Sequence, residues 1–156
     1  MGTLVVGVDP GVTTGIFAAG FDKQRLVGAP IALQIHGNEG VVPMVQTLLG
    51  HRPLLDHVLA VEQFVVGARA ARSSSAHAGR ITRALIAELQ DLGVDTFLRS
   101  AAMVKPWASD ARLEAAGLLA ATKAMGHARD AARHCLYAAV HMGIALDPLS
   151  NKAAAL

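Results

Sequence analysis

The run LVVGVDPG at residues 4–11 predicts a buried strand that ends in a sharp turn. Its first part is apolar and rich in valine, which is typical of a strand covered on both faces. The Asp-Pro-Gly that follows marks the turn, because proline and glycine interrupt strands. Two further apolar segments bounded by turn residues, 15–19 and 25–35, come next. Together the three segments predict an antiparallel meander.

The rest of the chain alternates predicted helices and strands. The first is a helix at 38–49 with Asn38 as a possible N-cap, which Pro43 limits because proline is tolerated only in the first turn. It is followed by a strand at 57–66, a helix at 73–92 ended by Gly93, a strand at 96–98, and helices at 109–118 and 127–144. The order indicates an α/β fold of the ribonuclease H-like class, with a mixed five-stranded sheet flanked by helices. We expect one domain over residues 1–146 and a flexible tail at 147–156, because Asp147-Pro148 stops the last helix.

The composition suits a compact protein in a reducing compartment. The 156 residues are 53% hydrophobic and 17% charged, which excludes a disordered chain. Mean hydropathy is +0.40, but every apolar run stops well short of the roughly 20 residues that a membrane-spanning helix needs. Residues 1–9 lack the basic start of a signal peptide, and the single cysteine, Cys135, cannot form an internal disulfide. We therefore expect a cytoplasmic protein with no membrane partner.

The distribution of charge suggests an anionic partner. The formal net charge is only +2, but residues 64–86 contain no Asp or Glu. The basic residues in that stretch are Arg69, Arg72, His77, Arg80 and Arg83. Such a stretch favours nucleic acid as the partner, although a solvated helix face has the same composition. Both interpretations stay open at this point.

Two carboxylates stand out because they belong to apolar strands. Asp9 ends the first strand, where it either binds a cation or phosphate or bonds its own backbone as a turn residue. Glu62 lies within the fourth predicted strand, and burying an ionised carboxylate costs several kcal/mol unless it is paired or bound to metal. The alternative for Glu62 is a strand whose end emerges into solvent.

The last predicted helix carries a third acid and three histidines. His127 and Asp130 are three residues apart and therefore share one helix face, although an acid in the first turn also stabilises the helix dipole. His134 and His141 follow His127 at seven-residue steps. A stripe roughly 20 Å long cannot surround one ion, so we expect these two to be partly buried or to support other ligands.

Asp9, Glu62 and Asp130 belong to elements that are neighbours in a ribonuclease H-like sheet, so the three acids are expected to meet at one edge. Carboxylates that meet raise one another's pKa. A divalent cation removes that penalty, and oxygen ligands select Mg²⁺ or Mn²⁺. Two such ions at one site would activate a water and stabilise the leaving 3′-oxygen of a phosphodiester.

Three motifs in this order resemble those of RuvC-type Holliday-junction resolvases. The run VGVDPG at 6–11, followed by Thr14-Gly15, is similar to their first motif, VEQ at 61–63 to their second, and HARDA at 127–131 to their C-terminal acidic motif. Val104-Lys105 stands where that family has a Val-Lys pair after the last strand. The resemblance extends from Leu4 to about Ala139 and is closest to short phage-encoded members.

This resemblance implies a metal-dependent endonuclease that cleaves four-way DNA junctions by paired nicks from a homodimer. Asp9, Glu62 and Asp130 would hold Mg²⁺, with Mn²⁺ as a substitute and two ions per site. His127 would take the fourth position as a metal ligand or general base, and Lys105 would contact a phosphate.

The resemblance also implies a DNA-binding surface. Phe64 would stack on unpaired bases, although a core phenylalanine is an equally good interpretation. The four arginines, Arg69, Arg72, Arg80 and Arg83, would follow the phosphates, a contribution that falls steeply with salt. The apolar stripe of the helix at 73–92, formed by Ile81, Leu85, Ile86 and Leu89, would either make the dimer contact or pack on the sheet.

Three alternatives compete with the resolvase. The run at 9–15 also resembles the first phosphate loop of actin and sugar-kinase ATPases, but those enzymes need a second domain that 156 residues cannot supply. A RuvX-type nuclease acting on ribosomal RNA precursors has the same fold and acids. A catalytically inactive junction-binding module would keep the basic stretch alone.

Overall fold

A computed structural model describes residues 2–64 and 75–150 of the chain. The elements in chain order are β1 (Thr3–Asp9), β2 (Thr13–Asp22), β3 (Arg25–His36), α1 (Val41–Gly50), β4 (Asp56–Gln63), α2 (Ser75–Gln90), β5 (Asp95–Ser100), α3 (Ala101–Trp107), α4 (Asp110–Ala115), a 3₁₀ turn (Ala120–Thr122) and α5 (Gly126–His141).

The five strands form one mixed sheet in the order β3-β2-β1-β4-β5. β1, β2 and β3 are antiparallel neighbours, and β4 and β5 run parallel to β1. The predicted α/β fold of the ribonuclease H-like class is confirmed. Because β1 and β4 are adjacent and parallel, their carboxyl ends lie at the same edge of the sheet.

Each face of the sheet is covered by helices. On one face Val5, Phe17 and Ala60 pack with α5, and on the other face Val6, Val8 and Leu59 pack with α1 and α2. Side chains alternate along a strand, so Gly7 and Asp9 follow Val5 towards α5. In β4, Glu62 likewise follows Ala60 towards α5.

Helix α5 approaches the sheet more closely than a β-carbon would permit. A β-carbon on Gly7 would overlap the carbonyl of Ala131, and one on Gly15 would overlap the carbonyl of His127 and lie 2.6 Å from the nitrogen of Ala128. These two glycines let the helix backbone rest directly on β1 and β2. The start of α5 is therefore held against the end of β1, where Asp9 lies.

Some sequence-based boundaries were wrong. Helix α1 begins at Val41 with Gly40 at its N-cap, whereas Asn38 donates from its side chain to the carbonyl of Ile81. Helix α3, which contains Pro106, was not predicted from the sequence. The predicted apolar stripe of α2 is also too wide: Leu85, Ile86 and Leu89 are buried, but Ile81 is 42% exposed.

The predicted tail begins with an anchored residue. Asp147 accepts hydrogen bonds from Nε and Nη2 of Arg112 at 3.1 and 3.2 Å. This pairing holds the pKa of the Asp147 carboxyl below its ordinary value. Residues 151–156 lie outside the described residues, so the flexible tail stays a prediction there. The domain boundary at 146 also stays a prediction.

Two further findings concern the single cysteine and the absence of a membrane-spanning helix among the described residues. Cys135 is buried against β1, and burial raises the pKa of its thiol well above the usual value, so the thiol stays protonated. Within residues 2–64 and 75–150, we find no helix with the length and apolar character needed to cross a membrane.

Candidate active site

The carboxyl ends of β1 and β4 bring Asp9 and Glu62 to the same edge of the sheet. The last aligned pair in their parallel register is Val8 with Val61, so Asp9 and Glu62 follow at equivalent positions. Asp9 is buried and Glu62 is partly buried. This position is compatible with both interpretations of Glu62: a residue near the end of its strand that reaches the surface, and an acid that faces other acids.

Helix α5 begins beside Asp9. The Nδ1 atom of His127 lies 3.1 Å from Oδ2 of Asp9. An ionised carboxylate only accepts hydrogen bonds, so Nδ1 donates to Asp9, and Nε2 is the ring nitrogen that takes no part in this contact. About half of the His127 side chain is exposed, so this ring connects a buried acid to solvent.

The electrostatics of Asp9 are those of a crowded acid. Burial and, next, the negative charge of Glu62 raise the pKa of Asp9 from 3.8 to about 6, with a further contribution from Asp130. The hydrogen bond from His127 acts in the opposite direction. The three predicted acids are thus close enough to repel one another, as the sequence analysis expected.

Glu62 is bound from the side of α5 by a histidine. The Nε2 atom of His134 lies 3.2 Å from Oε2 of Glu62, and His134 is only 2% exposed. The sequence analysis expected a buried or supporting role for this residue but did not identify its partner. His141, further along α5, is exposed and stacks on Tyr137 instead.

The third acid is held by two cations. Lys105 Nζ donates to Oδ2 of Asp130 at 2.8 Å, and Arg133 Nε donates to Oδ1 at 3.3 Å. The hydrogen bond with Asp130 raises the pKa of Lys105. Arg133 also bonds Asp110 and the carbonyl of Ala108. The sequence analysis missed Arg133, although its three-residue spacing from Asp130 on a helix is a recognisable signal.

The donor set suits a hard divalent cation, but its members are bonded separately in this arrangement. Within residues 2–64 and 75–150, no group of three or more His, Cys, Asp and Glu side chains is placed to hold a metal ion. Carboxylate oxygens are nevertheless the ligands that Mg²⁺ and Mn²⁺ prefer. Burial and, next, the charge of Glu62 raise the pKa of Asp9, and a bound cation would offset both effects by favouring the ionised carboxylate. The chemistry of the residues therefore fits the predicted metal.

A glutamine from β3 holds the N-terminus of α5. Gln34 Oε1 accepts from the backbone N–H groups of His127 and Ala128 at 2.9 and 3.4 Å. Met125 stands at the N-cap position and has no side-chain oxygen to satisfy these donors. Gln34 therefore fixes the part of α5 that carries His127, a role that the sequence analysis missed.

We expect Gln34→Ala to lower the free energy of unfolding by about 1 kcal/mol, the usual cost of losing a helix cap. Gln34→Glu should keep most of the stability, because a carboxylate also accepts both N–H groups and its charge suits the helix N-terminus. Urea unfolding of the three proteins measures the difference. Equal losses in both variants would contradict the capping role.

The predicted DNA-contacting residues lie beside the site, in part. Phe64 is 37% exposed and its ring packs against Gly79 of α2, so the interpretation as a core phenylalanine is wrong. Arg80 and Arg83 lie on α2 and are exposed. Arg69 and Arg72 lie outside the described residues.

Arg99 is a basic residue that the sequence analysis overlooked. It is the second-last residue of β5, opposite Glu62 in the parallel register, and its guanidinium lies 4.0 Å from the centre of the Phe97 ring.

No family model matches the chain, and no curated protein matches its sequence. Among solved structures it is similar to the RuvC of T. thermophilus determined in complex with a Holliday junction substrate. The similarity covers 91% of this chain and 98% of that one, with a TM-score of 0.58 and 20% identity. The chain has the RuvC fold. At this coverage the similarity concerns the fold as a whole and not a single motif.

The RuvC fold agrees with the resemblance seen in the sequence motifs. Those motifs place Asp9 on β1, Glu62 on β4 and Asp130 on α5, the three elements that meet at one edge here. At 20% identity the likeness concerns the fold, and the activity has to be argued from the side chains.

Proposed function

We propose that this protein is a metal-dependent endonuclease that cleaves four-way DNA junctions by paired hydrolysis of phosphodiester bonds. The observation that supports it most is the convergence of three acids from β1, β4 and α5 at one sheet edge of a RuvC fold. Burial and, next, the negative charge of Glu62 raise the pKa of Asp9, and Asp130 contributes in the same direction. A purely structural domain gains nothing from such an arrangement, because it destabilises the fold.

In this proposal Asp9, Glu62, His127 and Asp130 hold Mg²⁺, with two ions per site and Mn²⁺ as a substitute. When bound, the ions supply an activated water and charge stabilisation at the leaving 3′-oxygen. Asp9 orients the His127 ring through Nδ1 and leaves Nε2 free to accept a proton from a water molecule. His127 therefore acts as a ligand or as a general base.

Lys105 is the residue proposed to contact a phosphate. Its amine bonds Asp130 at 2.8 Å, and nearly half of its side chain is exposed. An exposed ammonium beside the acids can exchange a carboxylate for a phosphate oxygen at little cost, since both are oxyanions. Lys105 would thus place the scissile phosphate next to the acids.

The DNA-binding surface in this proposal extends from the site along α2. Arg80 and Arg83 supply exposed cations there, and Arg69 and Arg72 would extend it. Phe64 exposes part of its ring at the end of β4, close to Glu62, where an unpaired base would stack. Two nicks on opposite strands require two sites, so we propose a homodimer, and a cytoplasmic location where branched DNA occurs.

The decisive experiment incubates the protein with an immobile four-way junction and Mg²⁺ and maps both nicks. We expect paired nicks that persist in excess linear duplex DNA and structured RNA. Loss of cleavage on adding structured RNA, with cleavage of that RNA, would favour the RuvX-type nuclease. Binding of the junction without any cleavage in Mg²⁺ or Mn²⁺ would favour an inactive binding module.

We expect Arg80→Ala and Arg83→Ala each to weaken junction binding and to reduce the salt dependence of the dissociation constant by about one phosphate contact. Arg52→Ala, which removes the same charge next to the opposite end of the sheet, is the matched control. The dissociation constant is measured at several salt concentrations by fluorescence anisotropy. An unchanged slope in both α2 variants would place the DNA on another surface.

A further inference from the structure

His134 is a buried polar residue that directly contacts one of the proposed catalytic acids. It is 2% exposed on α5, and its Nε2 atom lies 3.2 Å from Oε2 of Glu62 on β4. A carboxylate accepts hydrogen bonds, so Nε2 must donate. The contact therefore joins the two elements that carry Asp130 and Glu62.

The support behind His134 is rigid. Its helix rests on β1 at Gly7, where a β-carbon would overlap the carbonyl of Ala131, three residues before His134. The neighbouring residues on α5, including Cys135 and Ala138, are fully buried. His134 is itself almost fully buried in this packing, which restricts the rotamers of its ring and so sets the position of its Nε2.

Glu62, by contrast, has a flexible side chain at the end of a strand. Its side chain is about one-fifth exposed, and fixing its side-chain rotamers costs free energy that binding a cation would otherwise have to supply. A hydrogen bond from a rigid donor supplies that ordering in advance. In metal sites, partners that orient the ligands in this way change metal affinity by about 10- to 100-fold.

We infer that His134 is a positioning residue for Glu62: it donates from Nε2 to Oε2 and holds the carboxylate in the orientation that binds a divalent cation. This inference rests on the proposed function, because it takes Glu62 as a cation ligand. His134 itself touches neither the cation nor the DNA in this role.

A pair of nearly isosteric substitutions separates the hydrogen bond from packing. His134→Gln places an amide donor at a reach similar to that of Nε2, whereas His134→Met fills similar space without a donor. The same substitutions at His141, which lies on the same helix but is exposed, are the controls. Binding of Mn²⁺ to the DNA-free protein is followed by the electron paramagnetic resonance of the free ion, and cleavage is measured as a function of Mn²⁺ concentration.

We expect His134→Met to weaken Mn²⁺ binding about 10-fold and to raise the Mn²⁺ concentration that half-saturates cleavage by a similar factor. His134→Gln should stay within about threefold of the unsubstituted protein, as should both His141 variants. If His134→Met does not fold, His134→Asn replaces it, because its amide is one methylene too short to reach Glu62.

Two results would overturn the inference. The first is an equal Mn²⁺ affinity for His134→Gln and for His134→Met, or for His134→Asn where it replaces the Met variant. The second is no Mn²⁺ binding by the unsubstituted protein. A protein that binds Mn²⁺ with the expected difference between variants, yet cleaves no junction, supports the role of His134 and contradicts only the junction-cleaving function.

Discussion

Asp9→Asn is expected to reduce junction cleavage roughly a thousandfold while stabilising the metal-free protein. The loss of activity follows from removing a charged oxygen ligand and from weakening the hydrogen bond that orients His127, because an amide oxygen accepts less strongly than a carboxylate. Catalytic groups of this kind commonly account for factors of that order. The gain in stability follows from the raised pKa of Asp9, because its ionised form is disfavoured in the fold. If Asp9 served only to stabilise the fold, Asp9→Asn would lower the stability of the metal-free protein and leave cleavage by the folded protein unchanged.

The gain in stability of Asp9→Asn should depend on pH, because it comes from the ionisation of Asp9. The Asp9 carboxyl titrates near 3.8 in the unfolded chain and at about 6 in the fold. Its contribution to stability is therefore fully present below pH 4 and is lost as the pH rises through 6. At pH 7 the asparagine variant should be more stable by roughly 3 kcal/mol, and the difference should shrink towards pH 4.

Thermal unfolding in EDTA from pH 4 to pH 7.5 measures this difference. Asp56→Asn, at the exposed start of the same strand pair, removes one charge outside the site and is the control. Millimolar Mg²⁺ should raise the melting temperature of the unsubstituted protein more than that of Asp9→Asn. Intact cleavage by Asp9→Asn would mean that Asp9 is not part of the catalytic site.

Gly15→Ala is expected to cost about 3 kcal/mol of stability and most of the cleavage activity. A β-carbon there would collide with the backbone of His127 and Ala128, which cannot rotate away as a side chain could. The start of α5 must shift, and His127 then loses its contact with Asp9. Because the same shift disturbs Gln34, two supports of the helix are lost together.

Gly126→Ala is the matched control for Gly15→Ala. Gly126 is the first residue of α5, and a β-carbon there meets no atom within 4 Å. This substitution should be neutral or slightly stabilising, because alanine favours a helix more than glycine does. Urea unfolding and junction cleavage are compared for both variants. A Gly15→Ala protein as stable and active as Gly126→Ala would contradict the close docking of α5.

Much of the fold could be predicted because its signals are local. The apolar runs and turn residues of β1, β2 and β3 predict the meander directly, since strand burial and chain reversal depend on neighbouring residues. Asp9 and Glu62 stood out for the same reason, each being a charge in an apolar strand. Helix α3 was not predicted; it is only seven residues long and contains Pro106, which disfavours a helix interior, so the local helix signal is weak.

The candidate site could be predicted in its acids but not in their partners. The spacing of His127 and Asp130 indicates a shared helix face, but nothing near either residue in the chain predicts the contact of His127 with Asp9, 118 positions away. Gln34 shows the same limit, because its partners on α5 lie more than 90 positions further along.

By itself, the sequence determined that this protein is an α/β domain with acids at the ends of apolar strands, because hydrophobic periodicity and turn chemistry are short-range properties. Only the tertiary structure decided that His134 holds Glu62, that Lys105 and Arg133 hold Asp130, and that Phe64 is exposed. Those pairings depend on how closely α5 lies on the sheet. That distance depends on Gly7 and Gly15, which have no side chains to hold the helix away from the sheet. Two single glycines form no periodic pattern in the sequence, so the close packing could not be predicted from it.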